Sequence, residues 1–222
     1  ARITAFVTAW GYERYWLARA LREILDAADA RRSPRTPRSL SSTLRGIWVE
    51  RALPIVAPVL GGAVKEPITA GHMARLAIQE GALQAAERAL LPRLTGEAAR
   101  VLAEVVDRRD EIVRFFRTEA IARITRSRAE ALTARLHVAR PWAPLRIVGV
   151  PDPDEAVALS SLFTGSLARQ ELSDSDAVIG RLLPGDPQPS VTQVRAALRT
   201  ARRADGPSAS APISRVRSEH GV

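Results

Sequence analysis

Four charged residues stand where a helical apolar pattern calls for hydrophobic ones. Arg14 falls between Trp10 and Leu17, Glu80 between Leu76 and Leu83, and Glu111 and Arg114 border Ile112 and Phe115. A charge facing a core is expensive unless it is paired or opens onto a polar cavity. Two kinds of chemistry follow. A desolvated Glu80 or Glu111 is suited to act as a general acid or base. Arg14 and Arg114 are suited to bind a carboxylate, phosphate or enolate, or to stabilise negative charge as it develops. The alternative is a structural ion-pair network with no reaction attached, and the plainest alternative is that these side chains snorkel at the edge of their stripes.

The elements that would position them are helices. Val7, Trp10, Leu17, Leu21 and Ile24 recur at three- and four-residue steps, so Ile3–Ala28 reads as one helix of about seven turns. Asp29–Ser42 breaks the pattern and reads as a loop, and Leu44–Val64 reads as a helical stretch kinked at Pro54 and Pro58. A helix opens at Thr69 or Gly71 and runs to about Leu91; the next starts near Thr95 and continues through Phe116 into Ile121–Leu136. Pro141–Pro153 is a connector, followed by short helices over Asp154–Leu167, Ser175–Leu183 and Val191–Arg203. No alternating run marks a strand. The expected architecture is an all-α antiparallel bundle forming one domain over 1–203, with a disordered tail over 204–222.

Composition narrows the functions. The 222 residues contain no cysteine, which excludes disulfides, thiolate metal sites and cysteine nucleophiles. Three histidines (His72, His137, His220) put a histidine-rich metal centre out of reach. The longest nearly apolar run, Ala52–Val64, is too short for a membrane span, and no signal peptide is recognisable, so a cytoplasmic protein is expected. The net charge of +9 comes almost wholly from arginine, Lys65 being the lone lysine. Arginines cluster in Arg31–Arg45 and Arg199–Arg217 without an interleaved aromatic platform, so a solvated basic surface is expected in preference to a nucleic-acid partner.

Other motifs read as structure. Asp107-Arg-Arg-Asp110-Glu111 superficially matches a magnesium-diphosphate motif but reads as a charged helix face, since no second such motif follows. Gly61-Gly62 lacks the setting of a phosphate loop, and Ser160-Ser161 lacks a histidine partner. Trp10, Tyr12, Tyr15 and Trp16 crowd one helix and read first as core or interface packing, second as the lining of an apolar cavity.

Three segments carry a family resemblance. Trp10-Gly-Tyr-Glu-Arg-Tyr-Trp-Leu-Ala-Arg-Ala-Leu21 resembles the W-x-x-E-E-x-x-H-G-x-x-L helix of acyl-carrier-protein desaturases and related ferritin-like di-iron proteins. Ile78-Gln-Glu-Gly81 resembles their Q-E helix, and Asp110-Glu-Ile-Val-Arg114 their D-E-x-x-H helix. Pro141-Trp-Ala-Pro144 through Leu183-Pro-Gly185 is also similar to ferritin-like proteins of actinobacterial type, so the resemblance spans Thr4 to Gly185.

The resemblance implies a ferritin-like bundle, and its departures imply lost iron. Where the family has a ligating glutamate and histidine, this chain has Arg14 and Leu17; Glu80 and Glu111 keep two glutamates, and Arg114 replaces the last histidine. The family's earliest glutamate has no match before Arg14. A di-iron centre takes a carboxylate from each of two helices and a Glu-x-x-His pair from each of two more. Arginine stays protonated and repels metal, so the expectation is no metal and no cofactor.

The family acts on long acyl chains. The leading expectation is therefore a metal-independent enzyme that cyclises, isomerises or eliminates an apolar, polyketide- or acyl-like substrate in the former metal pocket. Glu80 and Glu111 would be catalytic, with Arg14, Arg114, Trp10 and Leu17 binding substrate. The first alternative is a non-catalytic binding or structural protein held by the same four charges. The second is a di-iron oxidoreductase drawing other ligands from Glu13, Glu104, Asp107, Asp110 and His72. Bundles of this family often pair, so the resemblance allows a homodimer.

Overall fold

Leucine, alanine and arginine are good helix formers, and long stretches of this chain contain little else to interrupt them. A computed structural model describes residues 2–27, 65–146 and 152–204. Among these residues every regular element is helical: α1 (Arg2–Ala27), α2 (Lys65–Leu90), a 3-10 turn (Leu91–Arg93), α3 (Gly96–Arg126), α4 (Arg128–Ala139), α5 (Asp152–Leu162), α6 (Ser166–Gly180) and α7 (Pro189–Ala204). The all-α architecture expected from periodicity is present. No described helix is long and apolar enough to cross a membrane.

Helix α2 is central. It packs against α3, α4 and α6, while α1 lies on α3, and α5 and α7 pack on each other. Because only the 3-10 turn and two residues separate α2 from α3, the two run antiparallel. The larger core cluster joins Leu17 of α1, Met73 and Ile78 of α2, Phe116 of α3 and Val138 of α4. A second gathers Ala82, Leu159, Phe163, Leu172 and Val194 around α5, α6 and α7.

Several boundaries differ from the sequence reading. Helix α2 opens at Lys65, four residues before Thr69, because Pro67 falls in its first turn, where its missing N–H costs nothing. The long helix expected beyond Thr95 is two. Ser127 adopts an extended conformation (φ −150°, ψ 148°), and its Oγ accepts the Glu130 N–H at 3.2 Å, capping α4. Helix α5 stops at Leu162, before Thr164-Gly165, and α6 begins at Ser166, nine residues before the expected start. Ala204 ends α7 instead of opening a tail. The loop expected over Asp29–Ser42, the kinked stretch Leu44–Val64 and the tail beyond Ala204 lie outside the described residues.

Candidate functional site: a buried ion-pair seam

Helix periodicity explains how a line of polar groups comes to be buried. Glu80, Gln84, Glu87 and Arg88 follow one another at steps of four, three and one, which places them along one side of α2. On α3 the inward stripe is Leu102, Val105, Val106, Arg109, Ile112, Val113 and Phe116, all buried. Arg109 therefore faces α2 from within that stripe, and only 5% of its surface is exposed.

The seam consists of two bonded groups, one around Arg109 and one around Asp110. Arg109 Nη1 donates to Glu80 Oε2 at 2.5 Å, while its Nε and Nη2 each donate to Glu87 at 2.7 Å in a two-pronged pair. Glu80 is wholly buried, and Arg14 of α1 brings Nη1 to 3.4 Å from its other oxygen. One turn on, Gln84 donates to the Val106 carbonyl at 3.3 Å and to Asp110, and Arg88 ties Asp110 (3.0 Å) to Glu171 of α6 (3.4 Å). Burial by itself lowers the pKa of Arg109; its bonds to Glu87 and Glu80 outweigh that and hold it above the ordinary arginine value. Among the described residues Arg117 makes no hydrogen bond to a carboxylate; it donates to Ser175 at 2.9 Å, and burial together with Arg88 lowers its pKa.

The expected site residues separate into two places. Glu80 and Arg14 meet, as the stripe pattern requires. Leu17 is buried in the core, and Trp10 is half-buried against Phe116, with the Arg14 guanidinium 5.2 Å above its ring. Glu111 and Arg114 do not face inward, and this corrects the reading that placed them beside Glu80. Their side chains are 82% and 71% exposed and lie 3.8 Å from each other. The reason is angular: Glu111 lies two residues beyond Arg109, so it points about 200° away from the buried stripe. Tyr12, Tyr15 and Trp16 are likewise exposed instead of packed, at 67%, 61% and 45%.

Arg109 was missed, although the charged run Asp107-Arg-Arg-Asp110-Glu111 contains it. Continuing the Val105 and Ile112 spacing through the gap would have found it. Gln84 and Glu87 were findable by extending the Glu80 stripe one and two turns.

The donor set does not fit a di-iron centre. Glu80, one of the two glutamates that the resemblance offers as ligands, is flanked by two guanidinium groups, and Glu111, the other, points into solvent. The substitute ligands are also dispersed. Glu13 pairs with Arg108, Glu104 with Arg100 and Asp110 with Arg88, while His72 stands against His137. Among the described residues no three His, Cys, Asp or Glu side chains are grouped to hold a metal ion.

A groove of about 480 Å³ lies between α1 and α3, and it is lined by Trp10 and Glu111 but not by Glu80. Two of the expected site residues thus share a surface cleft, and two others meet where the buried Glu80 faces Arg14, whose side chain is 40% exposed. Comparisons with known proteins returned no matching family profile, no matching curated protein and no matching solved structure.

Proposed function

We propose that this chain is a non-catalytic binding or interaction protein on a ferritin-like bundle, in which ion pairs fill the place of a di-iron centre. The observation that carries this reading is the enclosure of Glu80. Its carboxylate has no exposed surface and lies between Arg109 and Arg14, with Arg109 in turn neutralised by Glu87. A general acid or base must reach its substrate within hydrogen-bonding distance. Acid–base chemistry on an apolar or acyl substrate would require a path to Glu80, which has no exposed surface, and Glu111, the other expected catalyst, stands outside in solvent.

The sign of one stability change separates the two readings. Catalytic carboxylates are held at a cost to the fold, so replacing one commonly stabilises the protein. A structural carboxylate behaves oppositely, because its loss takes a charged hydrogen bond from Arg109, which then keeps Glu87 alone. Glu80→Gln is expected to lose about 1–3 kcal/mol in urea denaturation. A variant as stable as the parent, or more so, would overturn the structural reading in favour of the enzyme.

A further inference from the structure

Exposed arginines on α1 and α3 are answered along their own helices. Arg19 pairs with Glu23, Arg100 with Glu97 and Glu104, and Arg114 with Glu111, each three or four residues away. Helix α7 departs from this pattern. It carries Arg195, Arg199, Arg202 and Arg203, all exposed, and no acidic residue. None of the four forms an ion pair or hydrogen bond with another described residue. The acids that reach α7, Asp176 and Glu155, bond Ser190, Val191 and Gln193 at its N-terminal end. Outside α7 the described residues hold 21 basic and 20 acidic side chains, so this one helix carries nearly all of their charge excess. The helix dipole accounts for bases in the last turn, Arg202 and Arg203, but not for Arg195 and Arg199 in the middle. Like charges four residues apart, as Arg195 with Arg199 and Arg199 with Arg203, weaken the helix that bears them.

We propose that the outward face of α7 binds the phosphate backbone of a nucleic-acid duplex without reading its sequence. The inference gives the binding-protein reading a partner and rests on it, yet it draws on none of the core ion pairs. The helix is anchored for such a contact. Val194, Ala197 and Leu198 seat its apolar side in the core cluster shared with α5 and α6. The four arginines lie on the other side, within an arc of about 100° and about 12 Å along the axis. A duplex offers one phosphate per about 1.7 Å of its own axis, so several of the four can engage at once. Each guanidinium can take a phosphate with two parallel hydrogen bonds. Helix α7 contains no aromatic residue, which counts against stacking on unpaired bases but not against backbone contact. A lipid surface fits less well. A helix lying on a membrane inserts its apolar side, and that of α7 is spent in the core, leaving Thr192, Ala196 and Thr200 exposed among the arginines.

The test measures fluorescence anisotropy of a short labelled DNA duplex titrated with the full chain, at several salt concentrations between about 50 and 200 mM. Binding should weaken roughly 40–150-fold across that range, the salt dependence of three or four phosphate contacts. The triple substitution Arg195→Gln, Arg199→Gln and Arg202→Gln should weaken binding at low salt about tenfold or more and make the slope of log affinity against log salt shallower by about 2–3. All three residues are exposed, so the variant should keep the parent's urea midpoint. The control removes the same charge from arginines that already have acidic partners: Arg19→Gln, Arg100→Gln and Arg108→Gln. It should weaken binding by no more than about threefold. Absence of duplex binding at about 50 mM salt, or an equal loss in the control, would overturn the proposal. So would retention of polyglutamate or of phosphatidylserine vesicles at least as tightly as the duplex. The two readings fail separately. Loss of duplex binding beside a destabilised Glu80→Gln removes only the α7 partner, whereas intact duplex binding beside a stable Glu80→Gln removes only the structural seam.

Discussion

Arg109 of α3 holds Glu80 and Glu87 of α2 at once, at 2.5 and 2.7 Å, across the central helix pair. One guanidinium thus answers two carboxylates seven residues apart, which fixes the register of α2 against α3 to within a turn. Replacing a buried ion pair as a unit is less harmful than removing one member, since a single change unbalances the buried charges that remain. Arg109→Gln and Glu80→Gln should therefore be strongly non-additive. A double-mutant cycle in urea should return a coupling of at least about 1 kcal/mol, with the double variant less destabilised than the sum of the singles. Additive losses would mean that the two groups do not depend on each other.

The surface pair offers the matching control. Glu111 and Arg114 sit 3.8 Å apart with most of both side chains in water. Exposed pairs contribute little. Glu111→Gln and Arg114→Gln should each change stability by no more than about 0.5 kcal/mol. A loss comparable to that of Glu80→Gln would show these side chains turned inward, as a reading of α3 centred on Phe115 would have them.

Gly71 tests packing at the other end of α2. A Cβ added there would meet the His137 ring of α4 at 2.5 Å, a separation that real contacts do not reach. His137 itself leans edge-to-face on His72, ring centres 5.2 Å apart, and burial together with His72, Arg140 and Arg75 lowers its pKa. Two opposed effects follow from Gly71→Ala. Helix propensity favours alanine by about 0.5–1 kcal/mol, and overpacking costs about 1–3 kcal/mol. A net loss is expected in the parent, turning to a gain of about 0.5–1 kcal/mol when His137→Ala has already cleared the space. Destabilisation of equal size in both backgrounds would mean that the imidazole is not what the new methyl meets.

What the sequence revealed and concealed follows from which residues carry the pattern. Helix α1 was legible end to end because Val7, Trp10, Leu17 and Leu21 mark one apolar stripe that α3 covers. The site was legible only in part. Glu80 announced itself as a charge among hydrophobics, but its partner did not, because Arg109 sits in a run of five charged residues whose other four face solvent. Helix α6 begins nine residues before the expected Ser175 because its first part, residues 166–174, is mostly polar, with only Leu167, Ala168 and Leu172 to mark an apolar stripe.

The break between α3 and α4 was written in Ser127-Arg-Ala-Glu130, whose first and last members have the spacing of a capping box. Ser127 Oγ satisfies the Glu130 N–H, and the buried Glu130 carboxylate is held by Arg126. Ser127→Ala should cost about 1 kcal/mol, the usual price of a lost cap, while Ser127→Asp should retain most of the stability. The loss should be seen both in urea denaturation and as faster amide exchange in the first turn of α4. Unchanged protection there would indicate that α3 and α4 form one continuous helix.

Asp176 supplies the pH-dependent element. It reaches from α6 to the first turn of α7, where Oδ2 accepts the Ser190 and Val191 N–H groups at 2.9 and 3.3 Å and Oδ1 accepts the Ser190 hydroxyl at 2.6 Å. These bonds favour the carboxylate, but burial opposes them more strongly and pushes its pKa up from the ordinary 3.8 to about 6. The sign follows directly. Between those two values the folded chain binds more protons than the unfolded one, so this residue's contribution is complete below about pH 4 and is lost as pH rises through 6. A rise of that size corresponds to a change on the order of 3 kcal/mol. Asp176→Asn cannot titrate, so the parent's stability relative to this variant should fall by about that amount between pH 4 and pH 8 in urea denaturation. If instead the parent gains on the variant as pH rises, the three donors of α7 outweigh burial, and Asp176 acts as an ionised cap throughout.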